Sequence, residues 1–212
     1  MRITSAAPLV LGSASPRRRE LMTLLEVPFV VRAAGVDEAL LGGETPHAYL
    51  ERVTRAKLDA ARSYRSDGES DGRPPRPPGN QSLAMLVADT IVVAPDGEVF
   101  GKPANDAESQ AMIDRLAATT HEVSTRFMLS EDRVGAPTHA QTVTTRVTFR
   151  ALSRGESRAY VLAGEGRDKA GGYALQGAAA AFVERIDGSY TGAIGLPLCE
   201  VVVAMRGLGW QW

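Results

Sequence analysis

The feature that most constrains the fold is a junction between an apolar run and a helix start. Residues 8–11 are apolar and predict a first β-strand. Ser15 is a residue type favoured as an N-cap, and Pro16 suits the first helical position because its missing N–H would have no partner there. The sequence therefore predicts a strand that passes directly into a helix.

Three consecutive arginines, Arg17, Arg18 and Arg19, occupy the first turn of this predicted helix. Cations are disfavoured there because the N-terminus is the positive end of the helix dipole, so a bound anion would offset them. Free amide groups, the small residues before the helix and several guanidinium groups are together typical of a phosphate cradle. A solvated basic turn is the simpler alternative, and we expect one of the arginines to face water.

Composition narrows the class of protein. The chain has 212 residues, of which 44% are hydrophobic and 23% charged, which is typical of a globular protein with a sizeable core. A formal net charge of −1 provides no general field for nucleic acid or for an acidic membrane, so neither partner is expected. The single cysteine excludes an internal disulfide and a cysteine-rich zinc site. No apolar run reaches the roughly 18 residues of a membrane span, and we expect a cytoplasmic protein.

Two charged residues fall at apolar positions. Thr45 and Pro46 predict a helix start, and Lys57 lies on the apolar face of that helix, where it either reaches the rim or meets a buried anion. Asp89 interrupts the apolar run over residues 83–93, which has the pattern of a strand buried on both faces. A buried carboxylate needs a cation, a metal or several N–H donors, so Asp89 is a candidate site residue.

A turn after this strand is expected to bring Lys102 back beside Asp89. Residues 95–97 predict a hairpin turn, and a return strand over residues 98–100 leads into Gly101, Lys102 and Pro103. A lysine between a glycine and a proline is typical of a phosphate contact. A structural ion pair with Asp89 is the alternative.

The rest of the chain predicts helices that alternate with strands, and therefore an α/β fold with a mixed sheet. The predicted elements are helices capped by Asn105 and Ser153, an antiparallel pair over 121–129 and 138–149, a strand over 180–186 and a terminal helix through residue 205. Residues 63–81 are rich in Gly, Pro and Ser and predict a flexible insertion, either a spacer or a polyproline ligand. We expect Trp210 and Trp212 to lie at the surface or in a partner contact.

Eight short segments, taken in order, resemble the Maf-type nucleoside triphosphate pyrophosphatases. They are SASPRR (13–18), GVDE (35–38), RAK (55–57), ADTIV (88–92), GKP (101–103), THEV (120–123), DKAGGY with LQG (168–177) and GLPL (195–198). Residues 190–194 depart from the segment that usually precedes GLPL. The resemblance extends over nearly the whole chain.

This resemblance implies a single domain over residues 1–212, built on a mixed, elongated and twisted α/β sheet. Flanking helices would form two lobes around a central cleft, as in Maf and ITPase-like proteins. The implied activity is hydrolysis of a nucleoside triphosphate to the monophosphate and pyrophosphate with a divalent cation, Mg²⁺ or Mn²⁺. The resemblance also implies a homodimer.

The resemblance further assigns roles to residues. Asp89 would be the catalytic residue that orders or deprotonates the attacking water, and Glu38 and Asp89 would hold the metal. The implied substrate-binding residues are Ser13, Arg17, Arg18, Lys57, Thr90, Lys102, Lys169 and Gln176.

Within the family, a threonine directly after the catalytic aspartate resembles the branch that acts on dTTP and UTP. Arg17, Thr90 and Gln176 then match the positions associated with base selection. The alternatives are the 7-methyl-GTP branch, which tends to carry Gln at the threonine position, and a nucleotide-binding regulator of cell division without turnover.

Overall fold

The computed structural model describes residues 1–33, 35–63, 84–131 and 135–212. The predicted insertion over residues 63–81 lies outside these ranges apart from Ser63, so its flexibility stays a prediction.

Strands and helices alternate through the described ranges. The strands are β1 (Leu9–Leu11), β2 (Phe29–Val31), β3 (Met85–Val93), β4 (Val99–Phe100), β5 (Thr120–Ser130), β6 (His139–Phe149) and β7 (Val183–Asp187). The α-helices are α1 (Pro16–Thr23), α2 (Pro46–Arg62), α3 (Asp106–Leu116), α4 (Arg154–Ala163), α5 (Tyr190–Ile194) and α6 (Leu198–Gly207). Short 3₁₀ helices cover Ala170–Gly172 and Ala178–Phe182.

All seven strands belong to one mixed sheet. Its order is β2-β1-β3-β5-β6-β7, and β4 pairs with the end of β3. The strands β2, β1 and β3 are mutually parallel, whereas β3, β5, β6 and β7 are antiparallel neighbours. The predicted α/β class with a mixed sheet is confirmed.

Helices cover both faces of the parallel part of the sheet. Leu9 and Leu11 of β1 lie in one core cluster with Met22 of α1, whereas Val10 lies in another with Leu58 of α2. Successive side chains of a strand point to opposite faces, so β1 is buried on both sides. In β3 every residue from Met85 to Asp89 is buried, as the apolar run over residues 83–93 predicts, whereas β2 at the sheet edge is partly exposed. A third core cluster joins α3, α4 and the far ends of the antiparallel strands around Ile113, Tyr160 and Phe149, on the other side of the cleft described below.

β1 ends earlier than β3, and the candidate site lies beyond the end of β1. β1 pairs with β3 only at Val10–Met85 and Leu11–Leu86, so β3 continues past the carboxyl end of β1. Along the chain, β2 is added on one side of β1 and β3 on the other side. Open α/β sheets bind ligands at the carboxyl ends of the strands where this change of side occurs. Gly12 begins the turn after β1, and a Cβ there would lie 2.6 Å from Val87 Cγ1, so only glycine allows this close approach.

Two expectations for the C-terminal part are wrong, and one helix there was not predicted. Residues 180–182 belong to a 3₁₀ helix and the strand begins at Val183, because the four alanines Ala178 to Ala181 continue the turn. The helix α5 was not predicted. Trp210 is only 2% exposed and donates its indole N–H to Glu131, so it is a core residue, while Trp212 is 40% exposed.

In the parts of the chain that the structure describes, no helix has the length and apolar character needed to cross a membrane.

Candidate active site

A cleft of about 800 Å³ lies at the switch point between β1 and β3. It is lined by the turn after β1, the start of α1, the middle of β3 and the loop around the first 3₁₀ helix. All the residues singled out from the sequence line this one cleft: Ser13, Arg17, Arg18, Glu38, Lys57, Asp89, Thr90, Lys102, Lys169 and Gln176. The fold thus gathers groups that are up to 163 positions apart in the sequence, from Ser13 to Gln176.

The centre of the cleft is an ammonium group between two carboxylates. Lys57 Nζ lies 2.6 Å from Asp89 Oδ1 and 2.7 Å from Glu38 Oε1. The Lys57 and Asp89 side chains are only 11% and 9% exposed, whereas that of Glu38 is 39% exposed. Lys57 therefore meets a buried anion rather than extending to the rim, and it supplies the cation that a buried Asp89 requires.

Glu38 is held in an ionised state. The Tyr49 hydroxyl of α2 donates to the Glu38 carbonyl oxygen at 3.0 Å and fixes the backbone beside the cleft. Burial would raise the pKa of the Glu38 carboxyl, but the hydrogen bond and charge of Lys57, together with the charge of Lys102, lower this pKa below its usual value. Glu38 is consequently a carboxylate at neutral pH.

The two carboxylates fit a small divalent cation. In residues 1–33, 35–63, 84–131 and 135–212 no group of three or more His, Cys, Asp or Glu side chains is placed to hold a metal. Mg²⁺, however, is usually bound through one or two carboxylates together with water and substrate phosphates. Glu38 and Asp89 both contact the ammonium of Lys57, so one oxygen of each carboxylate already lies next to the same positive charge.

The start of α1 leaves its first amide groups available to a ligand. Ser15 occupies the N-cap position, but its side chain makes no cap hydrogen bond, and the first turn has no acidic residue. The Ser13 hydroxyl oxygen instead accepts from Ser15 N at 3.3 Å and from Arg18 Nη1 at 3.1 Å. Because both contacts use the oxygen as acceptor, the Ser13 hydroxyl proton can be donated to an anion in the cleft.

The three arginines of α1 have different environments. Arg17 lines the cleft, Arg18 is only 8% exposed and Arg19 faces solvent, as expected for one of the three. Arg18 donates from Nε to Gly195 O at 2.8 Å and from Nη2 to Thr90 Oγ1 at 3.0 Å. Burial lowers the pKa of its guanidinium, an effect that the Asp89 charge opposes. The hydrogen bonds of Arg18 therefore hold the cleft wall in place, and its guanidinium also contributes positive charge to the cleft.

An ion pair within the cleft lining joins the first turn of α1 to the loop before the first 3₁₀ helix. Arg17 Nη1 lies 3.2 Å from Asp168 Oδ2, and the ammonium of Lys169 contacts the same carboxylate and the Glu165 carbonyl oxygen. Burial would raise the pKa of Asp168, but Lys169 and Arg17 lower it. Sequence reasoning did not select Asp168 as a site residue, although its place beside Lys169 in the matched DKAGGY segment was a usable signal.

Lys102 lies in the cleft but not against Asp89. Its Nζ is 3.7 Å from Glu38 Oε2, and its side chain is 62% exposed, so the alternative of a structural ion pair with Asp89 is wrong. Lys57 reaches Asp89 from α2, which packs along β3, and occupies that position instead. Lys102 and Gln176 both line the cleft and are exposed to solvent.

The first 3₁₀ helix, Ala170–Gly172, packs tightly against the sheet. Gly171 has a φ of +71° and donates its N–H to Gly101 O at 3.1 Å, and a Cβ there would lie 2.9 Å from Val92 Cγ2. The Tyr173 hydroxyl is 2.8 Å from Nε2 of the buried His121, which also contacts Phe149 edge to face. His121 is thus a structural residue, the reading that a lone histidine at a strand start favours.

Comparison with known proteins gives one consistent family. The model of the family described as "Maf-like protein" matches residues 8–208. A dTTP/UTP pyrophosphatase of Geotalea uraniireducens (strain Rf4) is 45% identical over 203 residues, covering 95% of each chain. Proteins of the same name from Myxococcus xanthus (strain DK1622) and Hahella chejuensis (strain KCTC 2396) are 43% and 41% identical, each over 95% of this chain and 92% of the relative.

Proposed function

Because the chain belongs to the Maf family of proteins, we propose that it is a nucleoside triphosphate pyrophosphatase that hydrolyses dTTP and UTP. The products are the monophosphate and pyrophosphate, which serves to remove nucleotides from the cellular pool. The observation that carries the proposal is the buried Asp89–Lys57–Glu38 cluster in a cleft that faces an uncapped helix N-terminus. The relatives named dTTP/UTP pyrophosphatase support the choice of substrate.

The distribution of charge in the cleft suits a triphosphate. Such a substrate carries about four negative charges, which a near-neutral protein must balance locally with cationic groups and a metal. Arg17, Lys57, Lys102 and Lys169 bring four cationic side chains to the cleft, and the first turn of α1 adds N–H donors. Several of these cations are engaged with carboxylates in the structure, and a bound triphosphate would compete for them.

Asp89 is the group placed to act on water. It lies on the central strand β3, where pairing with β5 on one side fixes the backbone, and only 7% of the residue is exposed. In the proposed reaction its carboxylate orients a water molecule for in-line attack at the α phosphorus and accepts a proton from it, and the bond from the α phosphorus to the oxygen that bridges to the β phosphorus breaks. Pyrophosphate leaves toward the lysines and arginines, whose charge stabilises it.

We further propose that Glu38 and Asp89 hold Mg²⁺ or Mn²⁺. When bound there, such an ion would neutralise phosphate charge and lower the pKa of a coordinated water. The proposal also includes a single domain over residues 1–212, a cytoplasmic location, a homodimer and no nucleic-acid or membrane partner. Light scattering coupled to gel filtration tests the oligomer directly, because a homodimer has twice the mass of the chain.

A substrate panel with product identification tests the activity. The purified chain is incubated with Mg²⁺ or Mn²⁺ and dTTP, UTP, CTP, GTP or 7-methyl-GTP, and products are separated by anion exchange. We expect monophosphate and pyrophosphate in equal amounts, fastest from dTTP and UTP. A preference for 7-methyl-GTP would assign the chain to the other branch, and orthophosphate as the first product would contradict a pyrophosphatase. Nucleotide binding without turnover would favour the regulator.

A further inference from the structure

Glu38 lies in an irregular segment, residues 35–44, between β2 and α2. The segment forms neither helix nor strand, so no ladder of backbone hydrogen bonds fixes its position. It is also largely exposed, since Leu40 and Leu41 are 49% and 53% accessible to solvent. The place of the Glu38 carboxylate therefore depends on contacts with more rigid parts of the molecule.

Arg52 of α2 joins two points of this segment. Its Nε and Nη2 atoms each lie 2.7 Å from one carboxylate oxygen of Glu44, and Nη2 also donates to Ala39 O at 2.8 Å. A planar guanidinium that forms two parallel bonds with a carboxylate fixes direction as well as distance. The Glu44 side chain is only 9% exposed, so water competes little for this pair. Because Ala39 directly follows Glu38, Arg52 holds the backbone beside the Glu38 side chain.

Tyr49 adds a second attachment one turn earlier on the same helix. Its hydroxyl donates to Glu38 O at 3.0 Å, and the Arg52 guanidinium lies over its ring, 5.5 Å from the centroid. The carbonyl groups of Glu38 and Ala39 are thus both held by side chains of α2. This helix packs along β3, the strand that carries Asp89.

The contact from Lys57 differs from these two because it uses the Glu38 carboxylate itself. The Lys57 ammonium lies against oxygens of both Glu38 and Asp89, so it cannot keep this place when a cation binds to the same oxygens. Arg52 contacts the Glu44 carboxylate and a main-chain carbonyl, and these bonds are compatible with a cation at Glu38. Groups that orient metal ligands typically change metal affinity by about 10–100-fold.

Resting on the proposed function and its metal site, we propose that Arg52 is a positioning residue that holds Glu38 where its carboxylate and that of Asp89 bind one divalent cation. Arg52 lies outside the cleft lining and acts through the segment that carries Glu38. Its loss should therefore weaken the contribution of the metal to nucleotide binding more than the contribution of the cationic side chains.

The test separates these two contributions by binding without turnover. Isothermal titration calorimetry measures the Kd of a UTP analogue that carries a methylene bridge between the α and β phosphorus atoms, once with saturating Mg²⁺ and once with EDTA. The ratio of the Kd without metal to the Kd with Mg²⁺ reports the contribution of the metal. It is compared between the wild type and Arg52→Gln.

Arg150→Gln is the matched control. Arg150 also donates to a carboxylate, that of Glu156, and to a main-chain carbonyl, Ala181 O, and it lies over the ring of Phe182. These residues lie outside the cleft lining. If circular dichroism shows that Arg52→Gln does not fold, Glu44→Gln takes its place, because it weakens the same contact from the other side.

We expect Arg52→Gln to lower the ratio about tenfold while its Kd without metal stays close to that of the wild type. Arg150→Gln should keep the wild-type ratio. An unchanged ratio in Arg52→Gln overturns the inference even if both Kd values rise, since a merely structural loss affects binding with and without metal alike. An equal fall of the ratio in Arg150→Gln, or a wild-type ratio near one, also overturns it.

Failure of the proposed function gives a different result. Wild-type protein that shows the expected ratio but releases no pyrophosphate from UTP overturns the proposed function alone. Wild-type protein that does not bind the analogue under either condition overturns both.

Discussion

At the scale of single residues, charged groups are stable in the cleft because each has a specific partner. The Lys57 ammonium contacts the carboxylates of both Asp89 and Glu38. Removal of Lys57 or of Asp89 would leave the other charge without its partner at a largely buried position. The sequence predicted the unusual placement of both Lys57 and Asp89 from their apolar neighbours. It did not predict that they are partners, because the contact depends on how α2 packs along β3.

The side-chain contacts of Arg18 and Lys102 could not be predicted from the sequence either. Both are long side chains whose end groups can reach several places from one backbone position, so the sequence located the backbone and not the contact. Arg18 turns inward to Ser13, Thr90 and Gly195, whereas Lys102 stays at the rim near Glu38.

His121 carries a prediction about stability and pH. Burial lowers its pKa to about 4, while an unfolded histidine titrates near 6.5. Between these values the unfolded chain binds a proton that the folded chain does not, so the free energy of unfolding falls as the pH falls from 6.5 to 4. The loss from this group should reach about 3 kcal/mol, which corresponds to the difference between the two pKa values.

Urea denaturation of wild-type protein and of His121→Gln at several pH values measures this loss. The variant should lose less stability than the wild type between pH 7 and pH 4.5, by about 2 kcal/mol. His139→Gln, on the neighbouring strand, is the control and should follow the wild type. Parallel curves for wild type and His121→Gln would show that the buried imidazole is not the group responsible.

At the scale of elements, α1 and α4 both begin after a serine, but only one of these two serines caps its helix. Ser153 caps α4 through a complete capping box with Glu156, whereas the Ser15 hydroxyl makes no cap bond to α1. The difference follows from position, because α1, unlike α4, starts at the cleft, where a ligand can meet the free amides. A sequence pattern identifies a helix start but not what binds there.

This difference predicts unequal effects of two serine substitutions. Ser153→Ala should lower the free energy of unfolding by about 1 kcal/mol, because a side-chain cap is lost. Ser15→Ala should change it by less than about 0.5 kcal/mol in the absence of nucleotide. Thermal denaturation followed by circular dichroism measures both. Equal losses in the two variants would mean that Ser15 does cap α1 in solution.

The helix α5 could not be predicted because little in its sequence favours a helix. Its five residues include Gly192 and the β-branched Thr191, both weak helix formers. The turn is stabilised from outside, since Ser189 caps it and the Thr191 hydroxyl accepts from Leu198 N. Tertiary contacts, not local propensity, determine this element.

At the scale of the whole molecule, the topology places the chemistry. β2 and β3 lie on opposite sides of β1, and β3 continues past the carboxyl end of β1. The helix start after β1 and the carboxylate on β3 therefore face one cleft. The alternation of strands and helices allowed the α/β class to be predicted from the sequence, and Ser15 and Pro16 predicted the helix start after β1. The burial of Trp210 was not predictable, because it depends on the C-terminal residues pairing with the N-terminus, where Gln211 N donates to Met1 O.

In the proposed reaction Asp89 acts on the attacking water besides pairing with Lys57. The most direct test is the rate of pyrophosphate release from UTP by Asp89→Asn, with Kd measured in parallel on the methylene-bridged UTP analogue. We predict that kcat falls by a factor of about 10²–10⁴, as expected for loss of a general base, while the Kd changes by less than about tenfold. An Asp89→Asn variant that retains the kcat of the wild type would contradict a catalytic role for Asp89.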